Sequence, residues 1–166
     1  MYTEFIFGCT LSKNTPKICI DALDYSINGK DKKPKYDNPL LWSERFYNDR
    51  YIDRTEPIDE IEDFCEEYDF FRLFHSSSFY FGAAESIRKF YYEPIDDTYK
   101  ISTRADFKNY DGKLEDFLEY IKPYVESGSG PKKIYAYVHY ELDDFPTIYS
   151  LSGTFKVNGE KILKES

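Results

Sequence analysis

The chain has 166 residues, the usual size of one domain, and folding at this length buries roughly two-thirds of the surface that the unfolded chain exposes. Its 22 Lys and Arg against 31 Asp and Glu give a net charge of −9, which repels phosphate backbones and argues against generic nucleic-acid binding. Cys9, Cys19 and Cys65 form no C-x-x-C pair and no His–Cys cluster, which predicts buried, reduced thiols and no metal site.

No basic, apolar leader precedes the first elements, and no run of 18 apolar residues occurs. We therefore expect a single domain over residues 1–166, cytoplasmic and without a membrane anchor.

The chain opens with a strand and a helix. Apolar residues alternate from Thr3 to Leu11, which predicts a half-buried strand. Thr15 is suited to a helix N-cap, Pro16 to the first helical position and Gly29 to the stop, so a helix is expected between them.

An acidic helix follows a polar connector. Asn38-Pro39 predicts a short helix, and Pro57 then precedes an apolar stripe with helical spacing. Eight of the fourteen residues from Glu56 to Asp69 are acidic. The exposed carboxylates of this helix are expected to be Asp59, Glu60, Glu62, Asp63, Glu66 and Glu67.

The middle of the chain contains runs of aromatic residues, and the spacing of its apolar residues then changes from strand-like alternation to helical periodicity. Nine aromatic residues between Phe70 and Tyr92 predict two or three short strands, and alternation from Tyr99 to Phe107 predicts another. A helical stripe then runs from Leu114 to Val125, opened by Asn109 or Asp111.

Strands close the chain. Alternation from Ile134 to Leu142 predicts one, Thr147 to Val157 returns after a turn, and Asn158-Gly159 is a strong hairpin signal. This order predicts an α+β fold, a mainly antiparallel sheet with two main helices packed on one face plus the acidic helical insertion. A ferredoxin-like β-α-β-β-α-β core fits it.

The two histidines are the candidates for catalysis. His75-Ser76-Ser77 and His139-Tyr140-Glu141 lie on predicted strands and partially resemble the two-histidine phosphoesterase superfamily. That resemblance implies that His75 and His139 act as acid and base on a phosphate while Ser77 holds an oxygen. The second motif has the carboxylate of Glu141 where the pattern requires a Ser or Thr hydroxyl, and the alternative is two imidazoles on ordinary strands.

Other catalytic signatures are missing from the sequence. It contains no phosphate-binding Gly-rich loop, no G-x-S-x-G elbow and no H-E-x-x-H motif, so we expect no cofactor and no enzymatic activity.

The surface features favour a binding protein. The acidic helix is either a solvated face or a docking face for an Arg/Lys-lined groove. The chain contains 17 Tyr, 14 Phe and one Trp, and Tyr135 and Tyr137 fall opposite the apolar set of their strand. Exposed tyrosines supply contact area at interfaces, although packing beneath loops is the alternative.

Three segments carry a resemblance: Phe7 to Leu11 running into Thr15-Pro16, Lys108 to Gly112 leading into Phe117-Leu118, and Tyr140-Glu141 with Pro146-Thr147. Together they look like small phage- and prophage-encoded accessory proteins. The resemblance implies a non-enzymatic inhibitor or accessory protein that binds a host protein. An immunity protein that neutralises a basic toxin, and a phosphoesterase-like protein acting on nucleotides, are the alternatives.

Overall fold

The computed structural model describes residues 2–31, 50–76, 87–109, 111–127, 133–158 and 161–165. Four α-helices lie in these ranges: α1 Lys17–Asn28, α2 Ile58–Glu67, α3 Phe70–His75 and α4 Lys113–Ile121. The strands are β1 Tyr2–Leu11, β2 Ile87–Glu93, β3 Thr98–Lys108, β4 Val125–Ser127, β5 Ile134–Tyr140, β6 Thr147–Ser150, β7 Gly153–Asn158 and β8 Lys161–Glu165.

These strands form one antiparallel sheet in the order β2-β3-β1-β5-β6-β7-β8, with short β4 also pairing with β1. The chain passes from β1 through α1 to β2, and β3 lies between those two strands. It passes from β3 through α4 to β5, and β1 lies between those two. This double split β-α-β arrangement confirms the predicted α+β class and the ferredoxin-like order of the core.

The helices cover one face of the sheet, and aromatic rings fill the space between the layers. Phe117 of α4 lies at the centre of this core, with ring centroids 5.5 Å from Phe7, 5.2 Å from Phe70 and 5.6 Å from Phe74. All four side chains are fully buried. The high phenylalanine content is therefore used for packing, and edge-to-face contacts predominate among these rings.

Residues 70–75 form a helix, so the prediction of strands over that segment is wrong at its start. Asp69 adopts a left-handed conformation with φ 50° and its carboxylate accepts a hydrogen bond from the Arg72 N–H, which caps α3. Phe70, Leu73 and Phe74 are buried at helical spacing. Ile87–Glu93 is a strand as expected, while residues 77–86 and the short helix predicted after Asn38 lie outside the described residues.

Two other boundaries differ from the prediction. α4 ends at Ile121 and continues as a 3-10 turn over Lys122–Tyr124, so Val125 belongs to β4. Pro123 accounts for the early end, because its ring clashes with the preceding helical turn. The predicted strand from Thr147 to Val157 is two strands, β6 and β7, separated by a tight turn at residues 151–152.

Candidate functional site

Helix α2 presents a concentrated acidic surface. All six predicted carboxylates are exposed, and we call them the acidic face: Asp59, Glu60, Glu62, Asp63, Glu66 and Glu67. At 3.6 residues per turn they fall within an arc of about 160°, opposite the buried Ile61. Ile58, 50% exposed at the start of the same helix, adds an apolar contact beside them.

The acidic face contains more negative charge per length than a single nucleic-acid strand. Ten helical residues span about 15 Å, so six carboxylates give one charge per roughly 2.5 Å. A single DNA strand has one phosphate per about 3.4 Å and a duplex one per about 1.7 Å. A basic groove that binds phosphates therefore meets a comparable charge density on this helix.

Packing fixes α2 firmly to the rest of the domain. Ile61 is 1% exposed, and the Phe64 ring lies 5.5 Å from Tyr120 of α4. The Tyr25 hydroxyl of α1 donates a hydrogen bond of 2.8 Å to the Glu62 carboxylate. Burial, with the hydrogen bond and charge of Glu62, raises the pKa of Tyr25 to about 12.

Buried carboxylates on α1 hold the segment that leads into α2. Asp21 accepts hydrogen bonds of 2.9 Å from the backbone N–H groups of both Thr55 and Glu56. Asp24 forms an ion pair of 2.5 Å with Arg54, and the Arg54 guanidinium also donates to the Gly29 carbonyl at the end of α1. These contacts fix where the acidic helix begins. The sequence does not predict these contacts, because Arg54 lies in a stretch without hydrophobic periodicity.

Within the part of the chain that the structure describes, none of the acidic-face carboxylates forms an ion pair with Lys or Arg. On the same helix, burial and then the charge of Glu62 raise the pKa of the Cys65 thiol to about 12.

The two candidate tyrosines of β5 have different environments. Tyr135 is 3% exposed, so the prediction that it lies on the outer surface is wrong. A register shift between Ile134 and Ala136 makes Tyr135 the extra residue of a bulge, and its ring packs 6.4 Å from Phe7 on the helix side. Tyr135 is therefore not available to a partner.

Tyr137 lies on the outer sheet face, as predicted, and is partly exposed. It pairs with Ile6, whose side chain is 40% exposed and points away from the helices. Burial, then the charge and hydrogen bond of Glu4, raise the pKa of Tyr137. Glu4 is itself paired with Arg104, so a fixed polar cluster holds the Tyr137 ring in place.

The histidines lie on opposite faces of the sheet. His75 ends α3 on the helix side, where its ring contacts the Ser26 carbonyl of α1. His139 pairs with Glu4 on the outer face, and its Nε2 is 3.1 Å from the Asp143 carbonyl oxygen. The structure therefore does not bring together the two imidazoles that the phosphoesterase hypothesis requires on one phosphate. Ser77 lies outside the described residues.

Within the described ranges no group of three or more His, Cys, Asp or Glu side chains is arranged to hold a metal ion. None of the helices described above is long and apolar enough to cross a membrane. Comparison with protein-family models, curated proteins and solved structures finds no match.

Proposed function

We propose that this chain is a non-enzymatic protein-binding module whose acidic face docks on a basic protein surface. The observation that carries the proposal is the six exposed carboxylates on one anchored helix, without an ion-pair partner among the described residues. Charge complementarity of this kind accelerates association and selects the partner. The charge density favours a partner that binds nucleic acid through a basic groove.

Anchoring strengthens this proposal, because a preorganised surface loses little conformational entropy on binding. The Tyr25–Glu62 hydrogen bond and the burial of Ile61 fix the helix axis before a partner arrives. Ile58 supplies an apolar contact at one end of the acidic face. Buried apolar contacts mainly increase the affinity for a partner, whereas complementary charges mainly increase the association rate.

Two biological settings are consistent with this role. The resemblance of three segments to phage accessory proteins favours an inhibitor of a host protein in the bacterial cytoplasm. An immunity protein that occupies the basic cleft of a toxin nuclease is the second setting. The genes beside this one distinguish them, because a toxin gene directly upstream favours immunity and phage genes favour the host-directed role.

The proposal is tested by charge reversal on the second half of α2. We would replace Asp63, Glu66 and Glu67 with Lys, because cations near a helix C-terminus are compatible with the helix dipole. The matched control replaces the exposed Glu119, Glu126 and Asp144 with Lys. Each variant changes the net charge by +6, from −9 to −3, so a difference between them reflects position.

Immobilised wild type and both variants are exposed to host lysate, and a retained partner is then purified for kinetics. We expect wild type and control to retain the same stoichiometric partner, and the α2 variant to associate with it at least tenfold more slowly at low salt. The salt dependence of the association rate should also weaken. Equal retention by both variants, or no stoichiometric partner for wild type at low and moderate salt, would contradict the proposal.

A further inference from the structure

His75 joins two helices and one strand of the sheet. Its Nε2 is hydrogen bonded to the Ser26 carbonyl oxygen of α1, and its Nδ1 lies 2.5 Å from Nη1 of Arg88 on β2. The half-buried ring also stacks on Phe71 of α3, with centroids 5.1 Å apart and planes 5° from parallel. One imidazole therefore connects the C-terminal end of α3 to both α1 and β2.

The chemistry of the two partners determines which form of the ring fits. A carbonyl oxygen only accepts and a guanidinium only donates, so Nε2 must have a hydrogen and Nδ1 a lone pair. The neutral Nε2–H tautomer satisfies both contacts. Protonation replaces the Nδ1 lone pair with an N–H that points at the Arg88 guanidinium, and a second positive charge then faces the first.

We propose that His75 is a proton-sensitive contact that holds α3 against α1 and β2 while its ring is neutral and loosens α3 when the ring is protonated. This property is independent of the proposed docking role of α2. It assigns to His75 a conformational function in place of the catalytic one that the sequence suggested.

The groups around the ring agree with this assignment. From β2 the charged group is Arg88, from α1 Ser26 contributes an uncharged carbonyl, and on α3 itself Arg72 is engaged by Asp69. From β3, Asp106 approaches through its backbone N–H, which donates to the Ser76 carbonyl, while its register with Glu4 places its carboxylate on the outer face. Among the described residues no carboxylate forms an ion pair with His75.

The direction of the effect follows from the environment. Burial lowers the pKa of His75, the Ser26 hydrogen bond raises it and Arg88 lowers it, with a net value below the ordinary 6.5. The folded state thus binds fewer protons than the unfolded state between these two values. The stabilisation that the His75 contact gives to the folded state is complete above about pH 6.5. It is lost as the pH falls through the pKa that His75 has in the folded state.

The test measures hydrogen exchange of α3 amides at pH 7.5 and pH 5, corrected for the intrinsic rate, together with the NMR titration and tautomer of His75. The informative variant is His75→Gln, whose neutral side chain offers a donor and an acceptor at every pH. The matched control is His139→Gln on the opposite sheet face. We expect a several-fold loss of α3 protection at pH 5 in wild type and control, and no such loss in His75→Gln.

A second variant keeps the test decisive if His75→Gln folds poorly. Arg88 is exposed, and Arg88→Gln removes the facing charge, so the pKa of His75 should rise and the loss of α3 protection should begin at higher pH. An Nδ1–H tautomer, a pKa of His75 at or above 6.5, α3 protection that does not change with pH, or an unchanged profile in His75→Gln would overturn the proposal.

Discussion

Replacing Arg54 with Met should be the most destabilising single change in the segment that positions the acidic helix. The Arg54 side chain is 7% exposed and its ion-pair partner Asp24 is 9% exposed, so both charges are largely removed from water. The guanidinium also donates to the carbonyl oxygens of Gly29 at 2.5 Å and Lys30 at 2.9 Å. Methionine keeps most of the apolar stem and removes every one of these donors.

The size of the expected loss in unfolding free energy depends on the Asp24 charge, which stays buried in the Arg54→Met variant. Breaking a buried ion pair by removing one partner costs about 3–5 kcal/mol, because the other charge stays buried without compensation. Asp24 keeps one hydrogen bond from the Asn28 side chain at 2.7 Å, which places the expected loss of unfolding free energy near the lower end, about 3 kcal/mol. For a domain of this size that corresponds to a Tm lower by roughly 6–12 °C.

Urea unfolding followed by circular dichroism measures this loss, and a double-mutant cycle identifies its cause. Asp24→Asn should cost only about 1–2 kcal/mol, since Arg54 keeps its backbone acceptors. The double variant should be more stable than the sum of the two losses predicts, by at least about 1 kcal/mol. Arg72→Met is the control, because its ion pair with Asp69 is about one-third exposed and should contribute less than about 1 kcal/mol. Strict additivity in the cycle, or an Arg54→Met loss no larger than that of Arg72→Met, would refute the reasoning.

Two further predictions concern the anchoring of α2 and the thiols. Ile61→Ala should lower the unfolding free energy by about 2–4 kcal/mol in the same urea assay, because the Ile61 side chain is buried. Ile58→Ala on the exposed side is the control and should change the unfolding free energy by no more than about 0.5 kcal/mol. Equal losses in the two variants would contradict the packing of α2. Cys19 is buried, whereas Cys9 and Cys65 are only partly buried, so the expectation of buried thiols holds fully for Cys19. Desolvation raises the pKa of Cys9 and Cys19 well above the ordinary thiol value and that of Cys65 to about 12. Iodoacetamide at pH 8 should therefore modify all three slowly in the native protein and rapidly in urea, as followed by mass spectrometry; rapid native alkylation would contradict the raised pKa values.

The elements with strong local periodicity could be predicted from the sequence. The alternation in β1 and the helical spacing of apolar residues in α2 correspond to observed elements within a few residues, because each element packs one apolar face against the core and leaves the other exposed. Residues 70–75 show the opposite case. Their phenylalanines favour strands by propensity, but tertiary packing buries Phe70, Leu73 and Phe74 together on a short helix.

Features that depend on distant partners could not be predicted. The bulge that turns Tyr135 inward arises where β5 pairs with β6, and nothing in the residues around it departs from simple alternation. The Arg54 side chain donates hydrogen bonds to residues that lie between 24 and 30 positions before it in the sequence. The His75 ring is hydrogen bonded to a carbonyl oxygen 49 positions before it. The exposure of the six carboxylates was predictable, whereas the contacts that hold their helix in place were not.

The position of β1 in the sheet has a consequence for synthesis on the ribosome. Residues 2–11 pair with residues 99–108 on one side and mainly with β5 on the other, so β1 has no long strand partner until β3 has left the exit tunnel. The ribosome adds 108 − 11 = 97 residues between residue 11 and residue 108, which at about 5–20 residues per second takes roughly 5–19 s. During that time the segment with Phe5 and Phe7 lacks both of its long neighbouring strands, and incompletely packed apolar segments of this kind are prone to aggregation and are bound by chaperones.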